Sequence, residues 1–180
     1  MARGDAVRPT QDRVRQAMFS SLAARVPGAR ALDLFAGSGA VGLEAWSRGA
    51  ACVRWVEADG RVFRVLEENL AALCGAPRGS TPEQTWGAIR GDVFRVLERM
   101  AGTGEFDMVF ADPPYDRGGE RQWAARLLDT LAATGLLAPG GVFVMEQARD
   151  EAAWEDPRWT LVTTKAYGGT KVTYYQRATS

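Results

Sequence analysis

Histidine is absent from all 180 residues. That removes Ser-His-Asp hydrolysis, His-ligated zinc and imidazole acid–base catalysis together, and no metal site is expected. Cysteine is nearly absent too: Cys52 and Cys74 are the pair, with no CxxC spacing. Two buried free thiols in a reducing cytoplasm are the expectation. No apolar run is long enough to span a bilayer, and the first residues lack the apolar stretch of a secretory signal. A cytoplasmic protein with no membrane partner is therefore expected. Lysine is scarce as well, with only Lys165 and Lys171 among 22 basic residues. The arginines that replace it are unevenly placed. Residues 1–30 carry Arg3, Arg8, Arg13, Arg15, Arg25 and Arg30 against Asp5 and Asp12, although the whole chain is formally neutral. Guanidinium forks match phosphate geometry, so this basic segment is a candidate RNA contact, whereas overall neutrality excludes a nonspecific nucleic-acid coat.

What the chain does have is a regular alternation of apolar runs and amphipathic segments. Its length suits one domain over residues 1–180, with residues 1–28 forming a basic segment and a helix packed on the core. Pro9-Thr10 reads as a helix start with Thr10 as N-cap. Val14, Ala17, Met18 and Leu22 share one face of that helix, and Val26-Pro27-Gly28 ends it. Strands are expected at Ala31–Phe35, Cys52–Glu57, Ala88–Gly91, Phe106–Ala111 and Val142–Glu146. Helices fall between them: Val41–Ser47, Arg61–Cys74 with Val62, Leu66, Leu70 and Leu73 inward, one after Asp92 ending near Met100, and one holding Trp123, Leu127, Leu128 and Leu131. Ala76–Trp86 reads as a surface loop, Pro139-Gly140-Gly141 as a turn, and the tail as a strand–Tyr167-Gly168-Gly169–strand hairpin. Strands alternating with helices mean an α/β fold, a parallel sheet with helices on both faces. Ligands bind such sheets at the carboxyl ends of strands where the strand order reverses.

Two motifs follow apolar strands. Asp33-Leu-Phe-Ala-Gly37-Ser38-Gly39 is a strand-to-helix glycine turn, where a ligand approaches backbone without meeting a Cβ. Asp33 either contacts a cofactor's amino group through water or stabilises the turn. Glu57 ends the next strand, placed to accept two ribose hydroxyl hydrogen bonds, and Asp92 follows the third, placed to accept from an adenine amine. Asp112-Pro113-Pro114-Tyr115 leaves the fourth strand. Two prolines can neither extend a ladder nor begin a helix interior, so a carboxylate, imide carbonyls and an aromatic ring are fixed at a strand end. Hydrogen bonds from a nucleobase NH2 to Asp112 and the Pro113 carbonyl would favour pyramidal nitrogen, with Tyr115 stacked on the ring. If the strand order reverses between the first and fourth strands, the two motifs form one site. Gly37-Ser-Gly39-Ala-Val-Gly42 also fits the dinucleotide pattern GxGxxG, which keeps an NAD-dependent oxidoreductase in view. Against it, no substrate domain follows the nucleotide unit, and the Asp112 motif has no part in hydride transfer. S-adenosylmethionine, an adenosine without pyrophosphate, suits both motifs.

These residues are similar to those of a known family. Asp112-Pro-Pro-Tyr115 with Phe35-Ala-Gly-Ser-Gly39 resembles class I S-adenosylmethionine-dependent amino-methyltransferases. Arg8-Pro-Thr-Gln-Asp-Arg-Val-Arg15 followed by Met18-Phe19 resembles the start of the RsmD family, bacterial 16S rRNA guanine-N2 methyltransferases. The likeness runs from about Arg8 to Arg177. It implies a Rossmann-like class I methyltransferase with a seven-stranded, mostly parallel sheet whose last strand is antiparallel. It implies a cofactor site of Asp33, Phe35, Ala36, Gly37, Ser38, Gly39, Glu57, Asp92 and Val93, and a guanine site of Asp112, Pro113, Pro114 and Tyr115. Arg8, Thr10, Arg13 and Arg15 would meet RNA, the partner being 16S rRNA in the small subunit or its assembly intermediate, and the protein a monomer. The tetrapeptide is shared with enzymes that methylate other amines, so DNA and protein amines are the alternative substrates. Only seven residues precede Arg8, where the family usually carries a basic extension, and the Ala76–Trp86 loop is longer than usual. Both departures bear on RNA docking and not on methyl transfer.

Overall fold

The computed structural model describes residues 9–75, 84–102, 106–114 and 121–178. Five strands alternate with helices, and a hairpin closes the chain. In order these are α1 (Pro9–Ser21), β1 (Arg30–Leu34), α2 (Ala40–Ser47), β2 (Cys52–Glu57), α3 (Gly60–Cys74), β3 (Thr85–Arg90), α4 (Val93–Met100), β4 (Phe106–Ala111), α5 (Trp123–Thr134), β5 (Leu137–Ala148), β6 (Trp159–Tyr167) and β7 (Thr170–Arg177). They build one seven-stranded sheet in the order β3-β2-β1-β4-β5-β7-β6. β1 to β5 run parallel, and β7 is antiparallel to both its neighbours, β5 and β6. This is the Rossmann-like class I methyltransferase architecture.

Strand alternation sends side chains to two separate cores. Ala31, Val53, Met108, Phe110, Val142 and Val144 face α1, α2 and α3. Leu32, Leu34, Val109, Phe143 and Met145 face α4 and α5. Helix α1 contributes Val14, Met18 and Phe19, and Leu22 follows just past its end; all four are buried. Pro9 occupies its first position, where a missing N–H costs nothing. Thr10 therefore lies inside the first turn and is not the N-cap. The helix also stops at Ser21, before Val26, and a turn carried by the Arg25 N–H to Leu22 carbonyl bond delivers Val26 to the core.

Four further expectations shift. Helix α3 buries Phe63, Leu66, Leu70 and Cys74. Val62 and Leu73 are exposed, Leu73 by 67%. Asp59 caps this helix by accepting from the Arg61 and Val62 N–H groups, and that start fixes a rotation with Phe63 inward. Cys52 is half-buried and Cys74 buried, both free thiols. Strand β3 begins at Thr85 because it pairs along the whole of β2, Cys52 to Glu57. Pro139-Gly140-Gly141 sits inside β5, not before it. The β4–β5 register shifts between Phe106 and Met108, and Gly140 at φ 74° takes up the irregularity.

The α2 helix lies close to the sheet because Gly42 has no side chain. A Cβ there would stand 2.3 Å from Nε1 of Trp55, a fully buried ring whose N–H donates to the Gly39 carbonyl at 3.2 Å. Gly42→Ala is expected to destabilise the protein by about 1–3 kcal/mol, the usual cost of overpacking, read as a lower urea midpoint. An unchanged midpoint would show that α2 has room to spare.

Candidate functional site

The sheet order reverses between β1 and β4, and their register sets the site. Leu34 pairs with Ala111, so the chain leaves both strands at the same level, into Phe35 and Asp112. Next along the sheet, Ala111 pairs with Met145, which brings Glu146 level with Asp112. Asp33, Asp112 and Glu146 all line a cleft of about 230 Å3 roofed by Gln11, Val14, Arg15 and Met18 of α1. Phe35, Ala36, Gly37, Ser38, Ala40 and Val41 form its floor.

Local hydrogen bonds hold the floor open. The Ala36 N–H donates to the Val56 carbonyl, and the Gly37 N–H to Glu57 Oε2 at 2.9 Å. Glu57 Oε1 accepts from the Asp59 N–H at 2.8 Å, so one carboxylate ties the glycine turn to the entry of α3. Phe35 adopts φ 56°, a conformation uncommon outside glycine. Gly37 has φ 57° and open space where a Cβ would point. Gly39, by contrast, is buried against Leu66 and Trp55, so it serves packing and is not part of the lining.

Asp33 is buried with 3% exposure, and its Oδ2 accepts from the Gly42 N–H at 2.8 Å. It stabilises the glycine turn and also faces the cleft. Burial pushes its pKa from the ordinary 3.8 up to about 8; the Gly42 bond opposes the rise, and nearby Asp112 and Glu57 add to it. Asp112 rises to about 7, from crowding by protein first and Glu146 second. Its outer edge is open to the cleft, and water there moderates the shift until a ligand fills the space. Glu146 is raised as well, by burial, with the Thr170 hydroxyl opposing. Three crowded carboxylates, each with its pKa raised by burial, suit a cationic ligand whose charge offsets the crowding.

The other expected residues are distributed unevenly. Glu57 touches the turn but is not part of the cleft lining, and neither are Asp92 and Val93, which follow the edge strand β3. Asp92 caps α4, accepting from the Arg95 N–H at 3.1 Å, and Val93 is buried. Arg15 faces the cleft, paired with Asp12 at 2.8 Å and Glu44 at 3.7 Å, whereas Arg13 is exposed. Of the other candidates, Arg8 and Tyr115 lie outside the described residues, as does the side chain of Thr10. Pro113 is buried and Pro114 exposed.

Two residues went unnoticed in the sequence. Glu146 ends an apolar run and carries no motif of its own. Trp123 donates through Nε1 to the Pro114 carbonyl at 2.9 Å, while its ring packs edge-on against Phe35 with centroids 5.3 Å apart. It joins the two loops of the site. Its place at the first position of α5, eleven residues after Asp112 in the sequence, was the available signal.

Asp33 gives a stability test. Between about pH 4 and 8 the folded protein keeps a proton that the unfolded chain has lost, so wild-type stability falls as pH rises through that window. Asp33→Asn keeps an oxygen for the Gly42 N–H and removes the charge. Urea melts are expected to show the variant gaining on wild type from about pH 5.5 to 8.5 and exceeding it at the upper end. A constant difference would mean that Asp33 stays ionised throughout.

The family model described as "Conserved hypothetical protein 95" matches residues 1–176. The "Ribosomal RNA small subunit methyltransferase D" of Escherichia coli K12 is 35% identical over 173 residues, covering 95% of this chain and 80% of that one. Its Haemophilus influenzae counterpart is 30% identical over 173 residues, covering 96% and 84%. The solved structure of yhhF from Escherichia coli superposes with a TM-score of 0.78 at 32% identity, covering 96% of this chain and 89% of its own. TrmN from Thermus thermophilus gives 0.68 at 26%, covering 96% and 51%. Sequence, sheet order and the paired loops at β1 and β4 agree: the chain belongs to the conserved hypothetical protein 95 family, the RsmD methyltransferases, and has their class I methyltransferase fold.

Proposed function

We propose that this protein transfers a methyl group from S-adenosylmethionine to the exocyclic N2 amine of a guanine in 16S rRNA of the small ribosomal subunit. The observation that carries the proposal is the level exit of β1 and β4, which puts the glycine turn and Asp112 in one cleft. The names of the Escherichia coli and Haemophilus influenzae relatives supply the substrate class.

When bound, the cofactor supplies a methyl group activated on a sulfonium, and the carbon–sulfur bond breaks as the nitrogen–carbon bond forms. The chain's residues bind, orient and accept a proton. Asp33 and the turn from Phe35 to Ser38 take the cationic end of the cofactor; Glu57 accepts from ribose hydroxyls; Asp92 and Val93 border the adenine. Asp112 and the Pro113 carbonyl accept from the target NH2, which frees its lone pair from the ring. The Trp123 bond to the Pro114 carbonyl holds that corner rigid. Tyr115 stacks on the base, a contact worth about 1–3 kcal/mol. The base leaves its stack to enter the cleft. Once methylated, the nitrogen is strongly acidic, and its proton passes to Asp112 or to cleft water. No imidazole is required.

Small subunits from a strain lacking its native enzyme, incubated with this protein and labelled cofactor, are expected to gain one N2-methylguanine, located by mapping the modified nucleotide. Label on free DNA or on ribosomal protein would overturn the assignment. Asp112→Ala is expected to lose at least ~100-fold in turnover, the order of a removed general acid–base group, and to bind uncharged-sulfur S-adenosylhomocysteine normally by calorimetry. Because burial raises the pKa of Asp33 to about 8 and also pushes Asp112 above the ordinary carboxylate range, the affinity for S-adenosylmethionine is expected to rise from about pH 6 to 8.5, and more steeply than that for uncharged-sulfur S-adenosylhomocysteine. Equal slopes would show that the sulfonium does not face these carboxylates.

A further inference from the structure

We infer that Glu146 reads the N1–H of the target base and so makes the cleft select guanine over bases with an acceptor at N1, an inference that rests on the proposed guanine-N2 activity. Guanine presents two adjacent donors, N1–H and N2–H2, on its Watson–Crick edge. Adenine presents a donor beside a bare acceptor nitrogen. A site with one carboxylate recognises the amine alone and cannot separate the two.

This cleft has two carboxylates side by side. Asp112 and Glu146 follow the paired residues Ala111 and Met145 on adjacent parallel strands. Strand alternation sends both to the face covered by α1, and both line the same cleft. With Asp112 on the amine, Glu146 is the neighbouring acceptor one strand further from the cofactor turn. Its carboxylate is oriented. Thr170 Oγ1 lies 3.0 Å from Glu146 Oε1 and 2.8 Å from the Gln147 carbonyl oxygen, its single proton shared between them. Thr170 is itself buried, on β7 beside β5. The hydroxyl thus fixes one carboxylate oxygen and leaves the other to face the cleft. The cleft-facing oxygen of this half-buried carboxylate, left against the N1 lone pair of a wrong base, would find no donor there and would repel it, the kind of mismatch that separates substrates strongly.

The experiment uses small subunits reconstituted with 16S rRNA carrying either guanine or 2,6-diaminopurine at the mapped position. Both bases bear the N2 amine; only guanine has N1–H. Wild type is expected to favour guanine in kcat/KM by on the order of 100-fold. Glu146→Gln is expected to lose most of its guanine rate, keep its diaminopurine rate within about 3-fold, and bind S-adenosylhomocysteine as wild type does, so that the preference falls below about 10-fold. Thr170→Val, which releases the carboxylate without removing it, is expected to lower the preference in the same direction by less. Equal losses on both bases, a weakened S-adenosylhomocysteine affinity, or an undiminished preference in Glu146→Gln would each overturn the role of Glu146. Wild-type protein that methylates neither subunit would instead overturn the guanine-N2 activity itself.

Discussion

The pairing of β1 with β4 is the constraint on which the site depends. Nothing in the chain between Leu34 and Ala111 brings their successors together locally; 76 residues and two strand–helix units intervene. The ladder does it, by matching Leu34 to Ala111 in register. A slip by one residue would turn Asp33 and the residues beyond it to the opposite face, because strand side chains alternate. Register is held from both sides, by Leu32 and Leu34 in the core under α4 and α5 and by Ala31 in the core under α1 to α3.

Around that seam the polar groups perform two duties at once. Asp33 anchors the start of α2 and faces the cleft. Glu57 ties Gly37 to Asp59 and stands where a ribose is expected. Asp92 caps α4 at the place proposed for the adenine edge. Each carboxylate has a backbone partner that fixes its position before any ligand arrives, so little rearrangement is required on binding. The crowding of Asp33, Asp112 and Glu146 has an energetic cost in the empty protein, and a cationic ligand offsets it.

Much of this was legible in the sequence for physical reasons. Paired prolines at 113 and 114 can end a strand only by leaving it, and the glycine turn after β1 needs positive φ values that the residues announce. Strand β2 and helix α5 were legible because their apolar patterns are unbroken. Other features were not. The rotation of α3 depends on how Asp59 caps it, and Val62 and Leu73 are as apolar as the residues that are buried. Pro139-Gly140-Gly141 has turn composition, yet pairing with β4 draws it into a bulged strand. Glu146 was hidden because one acidic residue at a strand end is ordinary; only the β4–β5 register reveals its neighbour. Arg15 was grouped with surface arginines by composition, whereas the packing of Val14 and Met18 turns it towards the cleft.

The place of β7 has a consequence for how the molecule is made. It inserts between β5 and β6, and its first residue, Thr170, grips Glu146. During synthesis β1 to β5 can assemble while that slot is still vacant. The nascent sheet then presents the open edge of β5 until the closing segment has left the ribosomal tunnel. The Glu146 side of the cleft is therefore completed later in synthesis than the glycine turn, because its partner Thr170 follows Glu146 by 24 residues.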